Sequence, residues 1–147
     1  MRPMFRNFSA PQYLWLMALA MLPALSAAGT QAPLYQNINT TQLLKLMAEE
    51  VPVYDVRRAE EWRQTGVIDG SRRLTFVDRQ GHMKKNFLPR FSAEVRKDQP
   101  VVVLCRAGNR SAYLARYLTE KLGYTRVYNL RDGIVSWIYE HKPVVSP

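Results

Sequence analysis

The sequence predicts an α/β domain built on a parallel central sheet. From residue 35 onward, short apolar runs of the length of buried strands alternate with stretches that have the apolar periodicity of helices. Strands that are separated in the chain by helices pair in parallel and form a layered structure. In such sheets the chemistry lies beyond the carboxyl ends of the strands, which is where the single cysteine of the chain falls.

The first half of the domain begins with a short strand, after which Thr40 or Thr41 can cap a helix. A second, shorter helix ends at Thr65-Gly66, because glycine is favoured just beyond a helix C-terminus. The predicted elements of this half are strands at 35–38, 52–56 and 73–76, helices at 40–49 and 59–64, and a solvated turn at 78–83.

The second half centres on the apolar run at residues 101–104, which predicts a fully buried strand. Pro89 leaves the start of the preceding helix open. The helix that follows the cysteine is closed by Gly123. The predicted elements of this half are strands at 101–104 and 126–129, helices at 86–96, 111–122 and 133–140, and a loose tail at 144–147.

Cys105 opens the heptapeptide Cys-Arg-Ala-Gly-Asn-Arg-Ser, which joins the buried strand to the helix. The free N–H groups at a helix N-terminus favour negative charge, and Arg106 and Arg110 add to that field. Gly108 allows turn conformations that a side chain would obstruct. A lone buried cysteine is usually an inert small hydrophobe, but this loop favours a reactive thiolate at Cys105.

The loop resembles the active-site loop of the rhodaneses, the thiosulfate sulfurtransferases, in which Cys-Arg-x-Gly-x-Arg is followed by Ser or Thr. Further landmarks of that family occur in the family's order: Asp55-Val56-Arg57, Glu60-Glu61-Trp62, and Leu130-Arg131-Asp132-Gly133 with Trp137 and Pro143. Many rhodaneses have Gly-His-Ile where this chain has Gly66-Val67-Ile68, so no role of that histidine carries over.

The resemblance implies a single rhodanese-like domain over residues 36–143, whose parallel central sheet is flanked by helices on both faces. It also implies that Cys105 attacks the sulfane sulfur of thiosulfate, becomes a persulfide and passes the sulfur to cyanide or a thiol. The implied substrate-binding residues are Arg106, Ala107, Gly108, Asn109, Arg110 and Ser111. No cofactor and no metal are expected.

Several side chains of this region have two possible roles. Arg110 can hold the oxygens of the donor or can brace the loop by pairing with a carboxylate. Ser111 can donate its hydroxyl toward the sulfur or can cap the helix, and the cap is favoured.

Asp55 is expected to bind backbone N–H groups at its strand end, and Arg57 to pair with one of the two glutamates at 60 and 61.

Three other functions are alternatives to sulfur transfer to small acceptors. Cysteine-dependent phosphatases place five residues between cysteine and arginine, whereas Cys105 and Arg110 enclose four, and the tighter ring fits a single sulfur atom. Idle rhodanese modules that bind a partner usually lose the cysteine or the loop pattern, and this chain keeps both. A persulfide relay or redox thiol in the cell envelope, with a protein acceptor, stays open because no motif encodes the acceptor surface.

The N-terminus has the order of a secretory signal peptide over residues 1–28. Arg2 and Arg6 precede an apolar run at 14–22, and Ser26 and Ala28 supply the small residues for cleavage after Ala28. An uncleaved membrane tether is the alternative, although the run is shorter than the roughly 20 residues of a spanning helix. We expect a periplasmic protein with no membrane insertion after cleavage.

Residues 29–35 then form an N-terminal lead-in segment. Without the signal the chain has 19 basic and 12 acidic residues, a net charge of +7. Such a charge speeds encounters with small anions and with anionic surfaces. Nucleic acid is not expected as a partner, because the basic residues are scattered and export would separate the two. One cysteine excludes an internal disulfide, and a monomer is expected.

Overall fold

The computed structural model describes residues 34–147, in which strands and helices alternate. The strands are β1 (Gln36–Ile38), β2 (Val53–Asp55), β3 (Arg72–Arg73), β4 (Val101–Leu104) and β5 (Val127–Leu130). The helices are α1 (Thr40–Ala48), α2 (Ala59–Thr65), α3 (Phe87–Glu94), α4 (Asn109–Leu122) and α5 (Gly133–Tyr139). The predicted signal peptide and most of the lead-in segment lie outside the described residues.

The strands form one sheet in the order β1-β5-β4-β2-β3, and every pairing in it is parallel. The strand that precedes the cysteine, β4, therefore lies at the centre of the sheet, between β5 and β2. All of its residues are buried, which its unbroken apolar run requires. This placement brings the carboxyl ends of β2, β4 and β5 together at one edge of the sheet.

Apolar cores cover both faces of the sheet, and alternate residues of β4 contribute to each. Val101 and Val103 belong to a core that contains side chains from α3 and α4, such as Phe87 and Leu114. Val102 and Leu104 belong to a second core that includes Leu43 of α1 with Ile134 and Trp137 of α5. The predicted architecture, a parallel sheet with helices on both faces, is confirmed.

Two boundaries differ from the sequence prediction. The third strand is Arg72–Arg73 and not residues 73–76. Beyond Arg73 the segment keeps only two separate backbone hydrogen bonds to β2 and the residue after it: Leu74 donates to the carbonyl of Asp55, the last residue of β2, and Phe76 donates to the carbonyl of Val56. The tail was expected to be loose, yet Val145 forms an antiparallel bridge with Val67, through two backbone hydrogen bonds of 2.9 Å.

The helix after the cysteine begins two residues earlier than predicted, at Asn109, with Gly108 as its N-cap. Three of the seven residues of the heptapeptide are therefore helical, which brings the first turn of α4 close to the end of β4. Among residues 34–147, no helix is long and apolar enough to cross a membrane.

Candidate active site

Cys105 follows the last residue of β4 and has 1% of its surface exposed. The Ser111 hydroxyl oxygen lies 3.4 Å from the cysteine sulfur and 3.1 Å from the Gly108 carbonyl oxygen. A hydroxyl has one proton, so Ser111 donates to one of the two at a time. The favoured role of Ser111 as helix cap is wrong, because Gly108 occupies the N-cap and Ser111 is the third residue of α4.

Consecutive backbone N–H groups of the loop, at residues 106–111, are not used in hydrogen bonds within residues 34–147. Successive unpaired N–H groups at the start of a helix form an anion-binding site, and the dipole of the fourteen-residue α4 adds positive potential there. The loop can therefore hold negative charge on a sulfur atom bound at Cys105 without a metal or a general base.

Backbone hydrogen bonds join the start of α5 to the loop that begins at Cys105. The N–H groups of Ile134 and Val135 donate to the carbonyl oxygens of Cys105 and Arg106, at 2.9 and 3.1 Å. The backbones approach so closely that a Cβ on Gly133 would lie 2.3 Å from the Arg106 carbonyl oxygen. These bonds fix two carbonyls of the loop on the α5 side.

Gly108 is required by both its conformation and its surroundings. Its φ is +90°, in the left-handed region that favours glycine. A Cβ at this position would lie 1.7 Å from the carbonyl oxygen of Arg131, so even alanine would displace the backbone. The sequence prediction that Gly108 serves the turn is thus supported by a close contact that only the fold reveals.

Arg110 braces the loop against α2. Its guanidinium donates to both carboxylate oxygens of Glu61, at 2.8 and 2.6 Å. Burial raises the pKa of Glu61, but the hydrogen bonds from Arg110 and from the Arg58 backbone N–H outweigh burial and lower that pKa to about 2. The hydrogen bond to Glu61 raises the pKa of Arg110, and Coulomb attraction to Cys105 contributes in the same direction.

A second ion pair fixes α2 to the sheet. The fully buried Arg57 donates to Asp55 at 2.6 Å, and also to the Thr65 hydroxyl at 2.7 Å and the Gly66 carbonyl at 2.8 Å. Because these acceptors lie at the end of β2 and at the end of α2, Arg57 determines where α2 presents Glu61.

The expected pairing of Arg57 with a glutamate at 60 or 61 is wrong. Arg58 contacts both glutamates instead, at 2.9 Å for Glu60 and 3.7 Å for Glu61. Asp55 does bind a local backbone N–H, as predicted, since the Arg57 N–H lies 3.1 Å from its carboxylate. The adjacent carboxylate of Asp55 is therefore the partner that Arg57 uses.

The other residues of the heptapeptide face solvent. Arg106, Ala107 and Asn109 are exposed. The Arg106 side chain pairs with no carboxylate among residues 34–147, in contrast to Arg110. Arg106 is therefore the loop arginine that is free to meet an anionic substrate.

A cavity of about 450 Å³ lies beside the loop and was not predicted. Asn109 and Arg110 form its loop side, and Phe76, Met83 and Tyr113 supply apolar surface. These side chains come from separate segments of the chain, so no local pattern in the sequence marks them. In the described part of the chain, no group of three or more His, Cys, Asp or Glu residues is arranged to hold a metal ion.

Known proteins share this fold and this sequence pattern. The family model of the Rhodanese-like domain matches residues 39–140. The chain belongs to this family. As a rhodanese, it is 35% identical over 99 residues to a sulfurtransferase of Allochromatium vinosum, which covers 67% of this chain and 82% of that protein.

Two further rhodanese relatives are informative. The thiosulfate sulfurtransferase GlpE of Pseudoalteromonas translucida is 30% identical over 104 residues, covering 70% of this chain and 89% of that protein. The crystal structure of a rhodanese-related protein from Thermoplasma volcanium is 29% identical, with a TM-score of 0.60, and covers 77% of this chain and all of that one.

Proposed function

We propose that this rhodanese is a thiosulfate sulfurtransferase that carries sulfane sulfur as a persulfide on Cys105. The observation that carries the proposal is the row of unpaired N–H groups at residues 106–111, which follows directly on the cysteine. An anionic persulfide needs donors that are fixed in advance, and this row supplies them. The name of the Pseudoalteromonas relative agrees with thiosulfate as the donor.

In the first half-reaction the Cys105 thiolate attacks the outer sulfur of thiosulfate. A new sulfur–sulfur bond forms at Cys105, and the sulfur–sulfur bond of thiosulfate breaks. Sulfite leaves with the electron pair of the broken bond. Arg106, which has no carboxylate partner in the described residues, binds the oxygens of the donor as sulfite forms.

In the second half-reaction cyanide or a thiolate attacks the outer sulfur of the persulfide. The bond to Cys105 breaks, and the cysteine leaves as a thiolate that is ready for the next cycle. The Ser111 hydroxyl, 3.4 Å from the sulfur, donates to the thiolate when it turns away from Gly108. The sulfane sulfur carries its own oxidation level from thiosulfate to Cys105 and on to the acceptor, so the two half-reactions together balance without an external oxidant or reductant.

Steady-state kinetics with thiosulfate and cyanide test this function. Thiocyanate formation should give parallel double-reciprocal lines as cyanide is varied, because sulfite leaves before cyanide reacts. Cys105→Ser should form no thiocyanate above background at an unchanged melting temperature. Intersecting lines, or turnover by Cys105→Ser close to that of the wild type, would contradict the proposal.

We also propose that the rhodanese acts as a periplasmic monomer after cleavage of residues 1–28. The support is the order of Arg2 and Arg6, the apolar run at 14–22, and Ser26 and Ala28. A reporter that is active only outside the cytoplasm should become active when fused to this segment, and the mature protein should begin at Gly29 and elute as one chain. An intact N-terminus in the membrane fraction would establish a tethered protein instead.

A further inference from the structure

Residues 143–145 connect α5 with the residues that follow α2, and we call these three residues the strap. At one end, the indole N–H of Trp137, in α5, donates to the carbonyl oxygen of Pro143 at 2.9 Å. At the other end, Val145 exchanges two backbone hydrogen bonds of 2.9 Å with Val67, two residues beyond the end of α2. The strap therefore joins two helices that lie far apart in the sequence.

A strained turn leads the chain from α5 into the strap. His141 has a φ of +54°, in the left-handed region that residues other than glycine seldom adopt. The N–H of Lys142, the next residue, donates back to the Trp137 carbonyl oxygen at 3.1 Å, which ties the turn to α5. A residue keeps such a conformation only where surrounding contacts compensate for its cost, and the two ends of the strap supply contacts of that kind.

The end of the strap that pairs with Val67 also packs against Gly66, the residue just after α2. A Cβ on Gly66 would lie 2.9 Å from the carbonyl oxygen of Val145. The Gly66 carbonyl accepts a hydrogen bond from Arg57 at 2.8 Å, and its N–H donates to the Trp62 carbonyl of α2 at 2.8 Å. The strap and the buried Arg57 thus hold the same end of α2.

Both helices that the strap joins also contact the loop after Cys105. Glu61 of α2 accepts two hydrogen bonds from Arg110, and the N–H of Ile134 in α5 donates to the Cys105 carbonyl at 2.9 Å. The loop, α5, the strap and α2 therefore form a closed ring of contacts. Contacts that belong to one network are coupled in energy, so a break at any of them loosens the others.

We propose that the strap is a positioning element for sulfur transfer. By closing the ring it keeps the unpaired N–H groups of residues 106–111 fixed around a sulfur on Cys105. Donors stabilise an anionic sulfur well only when they are fixed in advance, so a small displacement of the loop lowers the rate. Trp137, Pro143 and Val145 act through the loop backbone and touch no substrate. This inference rests on the proposed sulfurtransferase function and adds positioning residues to it.

Two substitutions open the ring at the two ends of the strap, and each has a matched control. Val145→Pro removes the N–H that donates across the bridge, and Ser146→Pro is its control, because the Ser146 N–H makes no hydrogen bond among residues 34–147. Trp137→Phe removes the indole N–H that donates to the strap, and Trp62→Phe is its control, because the Trp62 indole N–H has no acceptor in the described residues.

The first readout is the rate at which iodoacetamide alkylates Cys105 near pH 7, divided by the rate at about pH 9. Access to the sulfur affects both rates equally, so the ratio reports how well the loop stabilises the thiolate. Val145→Pro and Trp137→Phe should each lower this ratio, and should lower kcat/KM for thiosulfate about tenfold, the effect of one lost hydrogen bond. Both controls should match the wild type. Every variant is measured at a temperature at which it is fully folded.

A double variant tests whether the contacts act as one ring. Arg110→Ala opens the ring at the ion pair with Glu61. Adding Val145→Pro to Arg110→Ala should therefore lower the alkylation ratio little further. A combined effect equal to the product of the two single effects would overturn the ring.

The outcomes separate this inference from the function on which it rests. If Val145→Pro and Trp137→Phe lower the melting temperature but keep the alkylation ratio and kcat/KM of their controls, the strap only stabilises the fold and the inference is overturned. Trp137→Phe decides this by itself if Val145→Pro does not fold. If the wild type forms no thiocyanate, the proposed sulfurtransferase function is overturned, while the alkylation ratio still decides whether the strap positions the loop.

Discussion

Arg110 and Glu61 form a two-point ion pair that joins the loop after Cys105 to α2. The two hydrogen bonds, of 2.8 and 2.6 Å, connect residues that are 49 positions apart in the chain. The Glu61 side chain is 8% exposed and that of Arg110 is 26% exposed, so water screens the pair weakly. Arg110, the second residue of α4, is therefore a structural brace, and Arg106 is the arginine that we propose binds the substrate.

The brace predicts a loss of stability when Arg110 is replaced. Arg110→Ala should cost about 2 kcal/mol of unfolding free energy, because Glu61 would stay buried without its partner. Arg110→Lys should also destabilise, since an ammonium cannot donate in the same two-point geometry. Thermal unfolding measures both, with Arg116→Ala as control, because Arg116 makes an exposed pair with Glu120 at 4.0 Å.

A double-mutant cycle makes this prediction specific. Glu61→Gln and Arg110→Ala together should cost less than the sum of the two single changes, since each removes the same pair. Additive effects, or an Arg110→Ala variant as stable as Arg116→Ala, would show that the pair does not brace the loop.

The pH dependence of stability should report the same pair. The pKa of Glu61 in the folded protein is about 2, below its ordinary value of 4.5, so the unfolded chain binds more protons in this range. The stabilisation by Glu61 is thus complete above about pH 4.5 and is lost as the pH falls toward 2. The difference in unfolding free energy between wild type and Glu61→Gln should narrow across that window. A difference in unfolding free energy that does not change with pH would contradict the stabilising role given to the Arg110–Glu61 pair.

Arg106 should affect substrate binding and not stability. Arg106→Ala should raise the KM for thiosulfate about tenfold, the scale of a lost charge-assisted hydrogen bond. The melting temperature should not change, because the exposed Arg106 side chain has no carboxylate partner among residues 34–147. An unchanged KM would mean that the backbone N–H groups and the α4 dipole bind the donor without this arginine.

Gly108 and Gly81 provide a matched pair for testing the fit of the loop. Both have positive φ, +90° and +88°, but a Cβ on Gly81 would have no atom within 4 Å, whereas one on Gly108 would meet the Arg131 carbonyl oxygen. Gly81→Ala should therefore cost about 1 kcal/mol, from its conformation alone. Gly108→Ala should cost more and should abolish thiocyanate formation. Equal losses of stability in Gly81→Ala and Gly108→Ala would contradict the close contact between Gly108 and the Arg131 carbonyl oxygen.

The order of the elements could be predicted because local patterns encode it. The apolar run at 101–104 and Gly123 at the end of α4 each follow a rule that needs no distant contact. The third strand was misplaced, because Leu74 and Phe76 have the sequence of a strand but the chain there bonds to β2 and the residue after it only at separate positions. Pairing of Val145 with Val67 likewise depends on a contact between distant segments.

Within the site, Cys105 and its loop could be identified from the sequence, whereas their supports could not. The sequence places Glu61 in a family landmark and among the expected partners of Arg57, but nothing local connects it to Arg110. The role of Ser111 depends on where α4 begins. Because the helix begins two residues earlier than predicted, Ser111 is not the cap, and its hydroxyl lies beside the cysteine sulfur instead. The cavity beside the loop is lined by separate segments of the chain and leaves no periodic signal in the sequence.

The measurement that tests the central claim most directly is intact-protein mass spectrometry of the purified rhodanese after incubation with thiosulfate. The account predicts an increase of one sulfur atom, about 32 Da, that cyanide removes and that Cys105→Ser never acquires. Absence of the added sulfur in the wild type, or its presence in Cys105→Ser, would contradict a persulfide on Cys105.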